Sequence, residues 1–385
     1  MPAVYLKEGA RRLVETGFLT IYSKWVDYTV GAVRGGFADI YLEDECIGSG
    51  FYEDIGAVGV RILSNECGVD PRETIHGALD KALRLRRLLA PWDSYRLVNA
   101  EGDFLPGLII DVYSDVVVVQ TSSLGFDRHL DIVVDWVTEH LSPRLVFLKN
   151  DQRSRREAGL PVERRVLKGR GPAEARIREG QAKFWVDVEH GQKTGFFLDQ
   201  RINRLKLGEL VWSGASILDL YSYTGGFAIH ALLAGAEKAV LVEESPVAVK
   251  AAEKNLTING VRDKARIVVG RVEDFLRREL EKYDIVVADP PALIPGREHR
   301  DSGINAYRRL YEAAARHVKP GGLLVASSCS YFLRQDEFLQ LLGRAVRSAG
   351  REATVIWMHG ASPDHVSRPQ DDFLRYLKVV IMRLE

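Results

Sequence analysis

Ser216-Ile217-Leu218-Asp219-Leu220-Tyr221-Ser222-Tyr223-Thr224-Gly225-Gly226-Phe227 is the stretch on which the fold turns. An apolar run of strand length ends in a hydroxyl-rich turn with two glycines, then opens into Ala228-Ile229-His230-Ala231-Leu232-Leu233, a helical composition. Glycine lets a backbone approach a ligand closely, and the carboxyl end of such a strand faces the crevice where open sheets bind cofactors. Taken alone, the motif fits a plain strand-to-helix turn equally well. Downstream, Ala239 to Glu243, Ala265 to Val269, Asp284 to Asp289 and Gly322 to Ser327 are further apolar strands separated by amphipathic helices. That alternation predicts a parallel, doubly wound α/β sheet. Ala353 to Trp357 and Tyr376 to Arg383 have no helix-length segment between them, so they are expected to run antiparallel to each other.

Upstream the pattern is different. To residue 68, short runs such as Phe18 to Tyr22, Ala38 to Leu42 and Gly59 to Leu63 alternate with glycine-containing turns, which predicts a small β-rich domain. A helix is expected from Arg72, with Ile75, Leu79, Leu83 and Leu88 on its apolar face, Arg84, Arg86 and Arg87 on another, and Pro91 at its end. Leu108 to Tyr113 and Val116 to Gln120 read as a hairpin, followed by a helix over 127–141 and a strand from Arg144 to Leu148. From Lys149 to Arg178 there are ten Lys and Arg against four Asp and Glu, a basic stretch expected to link domains. The boundaries implied are 1–68, 69–184 and 185–385.

Bulk properties agree with several folded domains: 385 residues, 46% hydrophobic and 28% charged, with 53 basic and 53 acidic residues in balance. No overall field announces a polyanionic partner. Cys46, Cys67 and Cys329 are sparse and lack CxxC spacing, which predicts reduced thiols, no metal site and a cytoplasmic location. No signal core or bilayer-length apolar run is visible, so no membrane partner is expected.

Three features carry chemistry. Glu243 ends the second strand, where an acid accepts hydrogen bonds from ribose hydroxyls. A dinucleotide dehydrogenase would place an acid there too, but with G-x-G-x-x-G, which the turn after Leu220 lacks; S-adenosylmethionine is favoured over NAD. Asp289-Pro290-Pro291 ends the fourth strand, and two prolines continue neither a helix nor a central strand, so they impose a stiff loop at the cofactor edge. In methyltransferases such a loop receives the base to be modified. Ser327-Ser328-Cys329-Ser330 follows the fifth strand and brings a thiol to the same crevice. Carbon 5 of a pyrimidine becomes nucleophilic only after a nucleophile adds at carbon 6, a step suited to a thiolate, with Asp289 hydrogen-bonding the ring nitrogen. A small buried cysteine is the plainer alternative. Methylation of an exocyclic amine or ring nitrogen needs no thiol but is usually served by an aromatic residue after the prolines, where Ala292 stands.

Taken together with Asp93-Ser94-Tyr95-Arg96-Leu97, Asp103 to Asp111 and Gly191-Gln192-Lys193-Thr194-Gly195-Phe196-Phe197-Leu198-Asp199-Gln200-Arg201, these motifs span nearly the whole chain. The sequence resembles the PUA-domain-containing ribosomal RNA large-subunit methyltransferases, whose best-known type makes 5-methylcytosine. The resemblance implies an N-terminal β-rich PUA domain, a central α+β domain and a C-terminal Rossmann-like class I methyltransferase domain. It also implies Lys193, Phe196 and Gln200 near the cofactor, Asp219, Tyr221, Gly225, Glu243 and Asp289 around it, Pro290 and Pro291 at the substrate, and Cys329 as nucleophile. After the third strand, where relatives place an acid near the adenine, this chain has Gly270-Arg271-Val272-Glu273-Asp274, and Asp274 is the expected contact.

An RNA partner is expected from the resemblance, and Arg153, Arg155, Arg156, Arg164, Arg165 and Arg170 are candidate phosphate contacts, though a solvated linker has the same composition. Tyr307 and Tyr331 are candidates either for stacking on a flipped base or for the core. A small-molecule methyltransferase would share the cofactor residues without needing the two upstream domains, and a binding protein that had lost activity would not need Asp289 and Cys329. The sequence leaves the oligomeric state, monomer or homodimer, open.

Overall fold

The apolar runs from residue 216 onward assemble into one seven-stranded sheet. Its strands are β1 (Ser216–Leu220), β2 (Lys238–Glu243), β3 (Ala265–Val269), β4 (Tyr283–Ala288), β5 (Val318–Ser328), β6 (Ala353–His359) and β7 (Lys378–Leu384), in the spatial order β3-β2-β1-β4-β5-β7-β6. The first five are parallel, and β7 enters antiparallel between β5 and β6. Strands covered on both faces lose polar alternation, which is why β1, β2 and β4 read as nearly continuous apolar runs. The order reverses between β1 and β4, so their carboxyl ends, with that of β5, border the crevice of a doubly wound sheet. Helices Arg300–Arg316 and Gln335–Ser348 bury Tyr307, Leu310, Tyr311, Phe338, Leu341 and Leu342 in the sheet core. Helix Pro246–Ile258 begins where Ser245 Oγ accepts the Ala248 N–H and Pro246 supplies a preset φ.

The computed structural model describes residues 2–89 and 92–385, and they divide into two units. The second unit comprises Arg176–Val186, Phe197–Ser362 and Arg375–Glu385, and so holds the seven-stranded sheet. The first takes the chain up to Ala175 together with Asp187–Phe196 and Pro363–Leu374.

Within the first unit, an antiparallel sheet orders Thr20–Tyr22, Val58–Ser64, Glu45–Ile55 and Gly36–Leu42, beside a pair formed by Ala3–Leu6 and Val26–Val30. A five-stranded sheet then runs through Ser94–Asn99, Leu108–Tyr113, Val116–Thr121, Leu145–Asn150 and Glu163–Gly169 in sequential order. The expected hairpin forms in the register Leu108↔Thr121 to Tyr113↔Val116. The helix expected over 127–141 is two pieces, Leu124–Arg128 and Leu130–Leu141, because Ser123 Oγ caps the Phe126 N–H and starts a turn earlier.

Four expectations need correction in this unit. Where a boundary was expected at residue 68, Phe51 and Leu63 of the first sheet belong to the same buried cluster as Leu79, Leu97 and Phe126, so side chains from both sides of that boundary share one core. On helix Pro71–Leu89, Leu88 is exposed while Arg86 is buried, its guanidinium paired with Asp103 (2.7 Å) and donating to the Arg96 carbonyl (2.8 Å). Pro91, expected to end this helix, lies outside the described residues. Much of the basic stretch is ordered structure rather than solvated chain: Glu163–Gly169 is an edge strand whose charges face outward, a usual guard for an unpaired edge. Finally, Cys46 and Cys67 are joined in a disulfide with Cα atoms 6.4 Å apart, leaving Cys329 as the free thiol, so the cysteine count gives no support to a reducing compartment. Among the described residues no helix is long and apolar enough to cross a membrane.

Candidate active site

The turn after β1 is held in a rarely populated conformation. Tyr221 (φ 58°), Tyr223 (φ 49°) and Gly225 (φ 82°) all take positive φ within five residues. At Gly225 a Cβ would also come 3.1 Å from Leu241 Cδ2, so both backbone and space call for glycine. Two ties fix this shape: Glu243 at the end of β2 accepts the N–H of Tyr223 (2.9 Å) on one oxygen and that of Ser245 (2.8 Å) on the other. Ser222 Oγ and Thr224 Oγ1 are buried without a hydrogen-bond partner among the described residues. Buried hydroxyls normally find partners, so a turn that leaves two of them unmet is suited to a polar ligand.

Asp219 is fully buried below this turn and accepts the Ala228 N–H at 3.1 Å, at the start of helix Gly226–Leu233. Burial, reinforced by the charges of Asp289 and Glu243, lifts its pKa to about 8. Tyr221 donates its hydroxyl to Glu273 (3.1 Å), and burial raises its phenol above the ordinary range. Glu273 therefore reaches this turn, whereas its neighbour Asp274, the expected adenine contact, is half-exposed and paired with Arg277 (2.9 Å). On helix Val272–Arg278 the two adjacent acids thus have different partners, which sequence spacing does not disclose.

The Asp289-Pro290-Pro291 loop leaves β4 beside the end of β5. Gln200 is buried and donates from one nitrogen to Asp289 Oδ2 and Ser327 Oγ, both at 3.0 Å, while Asn203 donates to its oxygen (2.9 Å). It thus orients Asp289, a role the motif did not disclose. Cys329 Sγ lies 4.0 Å from the Pro290 carbonyl oxygen, so thiol and loop meet as the sequence anticipated. Tyr307 is wholly buried and acts as a clasp: it accepts from Ser328 Oγ (3.1 Å) and the Leu293 N–H (3.3 Å) and bonds Ser330 Oγ (2.8 Å). The Ile294 N–H also reaches Ser330 Oγ (3.1 Å), locking the proline loop to the cysteine turn. Pro290 is buried, Pro291 and Ala292 are exposed, and Tyr331 is half-exposed.

Comparison with known proteins agrees with this geometry. Residues 163–354 match the family model for S-adenosylmethionine-dependent methyltransferases. A protein of Methanocaldococcus jannaschii named as a ribosomal RNA large subunit methyltransferase is 36% identical over 91% of this chain and 90% of its own. This chain belongs to the S-adenosylmethionine-dependent methyltransferases. Ribosomal RNA large subunit methyltransferase I of Shewanella amazonensis is 32% identical over 94% of both chains. Among solved structures, an S-adenosylmethionine-dependent methyltransferase from Streptococcus mutans shares the fold across 100% of both chains (TM-score 0.82, 21% identity). A methyltransferase complexed with S-adenosylhomocysteine does so at TM-score 0.84 and 21% identity, again over 100% of both chains.

Other expected residues of this methyltransferase lie in the first unit. Lys193 and Phe196 belong to the first unit, where Thr194 donates to Asp111 (2.6 Å) and the Phe196 N–H to the Tyr113 hydroxyl (3.2 Å). The expectation for Arg155 is overturned: it is fully buried, paired with Asp127 (2.7 Å) and donating to the carbonyls of Thr121 and Pro161 (2.9 Å each), so no phosphate reaches it. Arg153 is exposed and paired with Glu157 (2.6 Å); Arg164 and Arg165 pair with Asp151 and Glu163.

Proposed function

We propose that this methyltransferase acts on large-subunit ribosomal RNA and makes 5-methylcytosine through a covalent adduct of Cys329. The observation that carries the proposal is the 4.0 Å approach of the Cys329 thiol to the Pro290 carbonyl, at the edge where Asp289 is held by Gln200. The names and full-length coverage of the curated relatives support the RNA substrate. S-adenosylmethionine supplies an electrophilic sulfonium methyl group when bound. Asp219, Tyr221, Gly225 and Glu243 are the residues that would hold it, with Ser222 and Thr224 offering their unmet hydroxyls and Glu273 facing the adenine end.

The chain's own part in the chemistry is then threefold. Cys329 adds to carbon 6 of the base, making carbon 5 electron-rich enough to take the methyl group, and leaves again once a general base has accepted the carbon 5 proton. Asp289 receives a hydrogen bond from the ring or donates one to it, and Gln200 keeps that carboxyl from rotating. Pro290 and Pro291 give the base a rigid wall. The N-terminal β-rich segment serves as a PUA-type RNA-binding domain, with Arg153 and the exposed edge strand as phosphate contacts, in the cytoplasm.

Labelled methyl groups should pass from S-adenosylmethionine to large-subunit RNA and appear as 5-methylcytosine on nucleoside analysis. With RNA containing 5-fluorocytosine, a stable protein–RNA adduct should form and should disappear in Cys329→Ala. Methyl label found on a base nitrogen, with no adduct, would refute the proposed chemistry; label found only in a metabolite pool would refute the RNA substrate.

A further inference from the structure

Lysine is costly to bury without a counter-charge, because its ammonium loses hydration that only a paired or hydrogen-bonded site replaces. Lys378, the first residue of β7, is such a case. It stands opposite Ser328 in the antiparallel β5–β7 register, one residue from Cys329, and is 5% exposed. Its Nζ donates to the Ser330 carbonyl at 2.7 Å, which places the nitrogen at the cysteine turn. Among the described residues no carboxylate forms an ion pair with it. Titratable groups that feel the charge of Cys329 include Tyr307 and Tyr311 from helix Arg300–Arg316 and Lys378, and Asp289 at the end of β4 acts on Tyr311 as well.

We propose that Lys378 is the positioning residue that keeps Cys329 as a thiolate: the thiol gives its proton to solvent, and the Lys378 ammonium, held at the cysteine turn, offsets the charge left on sulfur. The lysine is not asked to touch the base. Its chemistry fits the task, since burial lowers its pKa to about 8 and the charge of Cys329 works in the opposite direction, so each ionised partner favours the other. Asp289 opposes the thiolate, and a cation is what allows both anions to share one edge. Tyr307 and Tyr311 are pushed toward their neutral forms by burial and contribute no charge there.

The proposal rests on the assignment of Cys329 as nucleophile, but it is tested without RNA. Because Cys46 and Cys67 are bonded, alkylation by iodoacetamide reports Cys329. Its rate against pH should show half-titration at least about one unit below the ordinary ~8.5 of a free thiol. Lys378→Met, which removes charge and donor, and Lys378→Gln, which keeps a donor for the Ser330 carbonyl, should both move that point upward and slow alkylation at pH 7 about tenfold or more. A wild-type profile in a folded Lys378→Gln protein would show that the lysine is only a tether and would overturn the proposal. So would an ordinary half-titration point in the unsubstituted protein, a result that needs no variant to fold. A depressed thiol that forms no adduct with 5-fluorocytosine RNA would instead refute the nucleophile assignment and leave the pair standing.

Discussion

Replacing Asp219 by Asn should change stability in a direction that depends on pH. The carboxyl titrates near 3.8 in an open chain and is raised to about 8 in the folded protein, so between these values the unfolded state is ionised while the folded state holds a proton. The folded state then binds more protons than the unfolded one, and stability must fall as pH rises through this window. At about 1.4 kcal/mol per unit, the penalty reaches on the order of 4 kcal/mol by pH 7. An Asn oxygen keeps the acceptor for the Ala228 N–H at 3.1 Å, but its buried amide must find a partner at a cost of about 1–3 kcal/mol. Asn should therefore destabilise the ligand-free protein at pH 4 by about that amount and stabilise it by about 1–3 kcal/mol at pH 7–8. Denaturant unfolding of both proteins at half-unit steps of pH gives the difference curve. A difference that keeps one sign and size from pH 4 to 8 would refute the argument. If Asp219 ionises to receive the sulfonium cation, the same variant should bind S-adenosylmethionine less tightly while losing little affinity for S-adenosylhomocysteine, whose sulfur carries no charge, as calorimetry would show.

Glu179 is fully buried and bonds Arg204 (2.6 and 2.7 Å), Arg201 (3.3 Å) and His230 (2.9 Å); despite its burial, Arg204 and then His230 hold its carboxyl well below the usual range. Glu179→Gln leaves two buried guanidinium groups without this charge and should cost about 3–5 kcal/mol, or roughly 6–20 °C in Tm by scanning calorimetry. The carboxylate's contribution is present above its unfolded pKa and is lost as pH falls through the depressed folded value, so the wild-type and Gln proteins should converge in strong acid; a gap that widens there would contradict this. Gln200→Leu removes one hydrogen bond that orients Asp289 and should lower kcat about 10–100-fold with KM for S-adenosylmethionine changed less than threefold, measured by methyl transfer; an unchanged kcat would remove its orienting role. Arg155→Met should destabilise the first unit by about 3 kcal/mol or more yet leave the salt dependence of RNA binding unaltered, and a reduced salt slope would restore the phosphate contact rejected above.

The sheet was legible because β1, β2, β4 and β5 are buried on both faces, and burial of that kind writes itself as an uninterrupted apolar run. Asp289 and Cys329 were legible because prolines and a cysteine at strand ends are chemically conspicuous. What composition hides is pairing. Arg155 and Arg86 look like surface charge until Asp127 and Asp103 are found 28 and 17 residues away in sequence. Lys378 carried no signal within its own strand, since its meaning lies in the register that sets it opposite Ser328. The shared core at Phe51 was likewise invisible, because two β-rich segments joined by a helix have the same local pattern whether they form one core or two.

The place of β7 in the sheet carries a consequence for the chain's synthesis. It is the seventh strand made and yet sits between the fifth and sixth, so the long edge of β5 stays open until Lys378–Leu384 has left the ribosome. During that interval a row of apolar residues with unpaired amides and carbonyls is available to any neighbouring nascent chain. A translation product ended before Lys378 would be a self-associating species, and the strand that sets Lys378 opposite Ser328 is the one that fills this gap in the sheet.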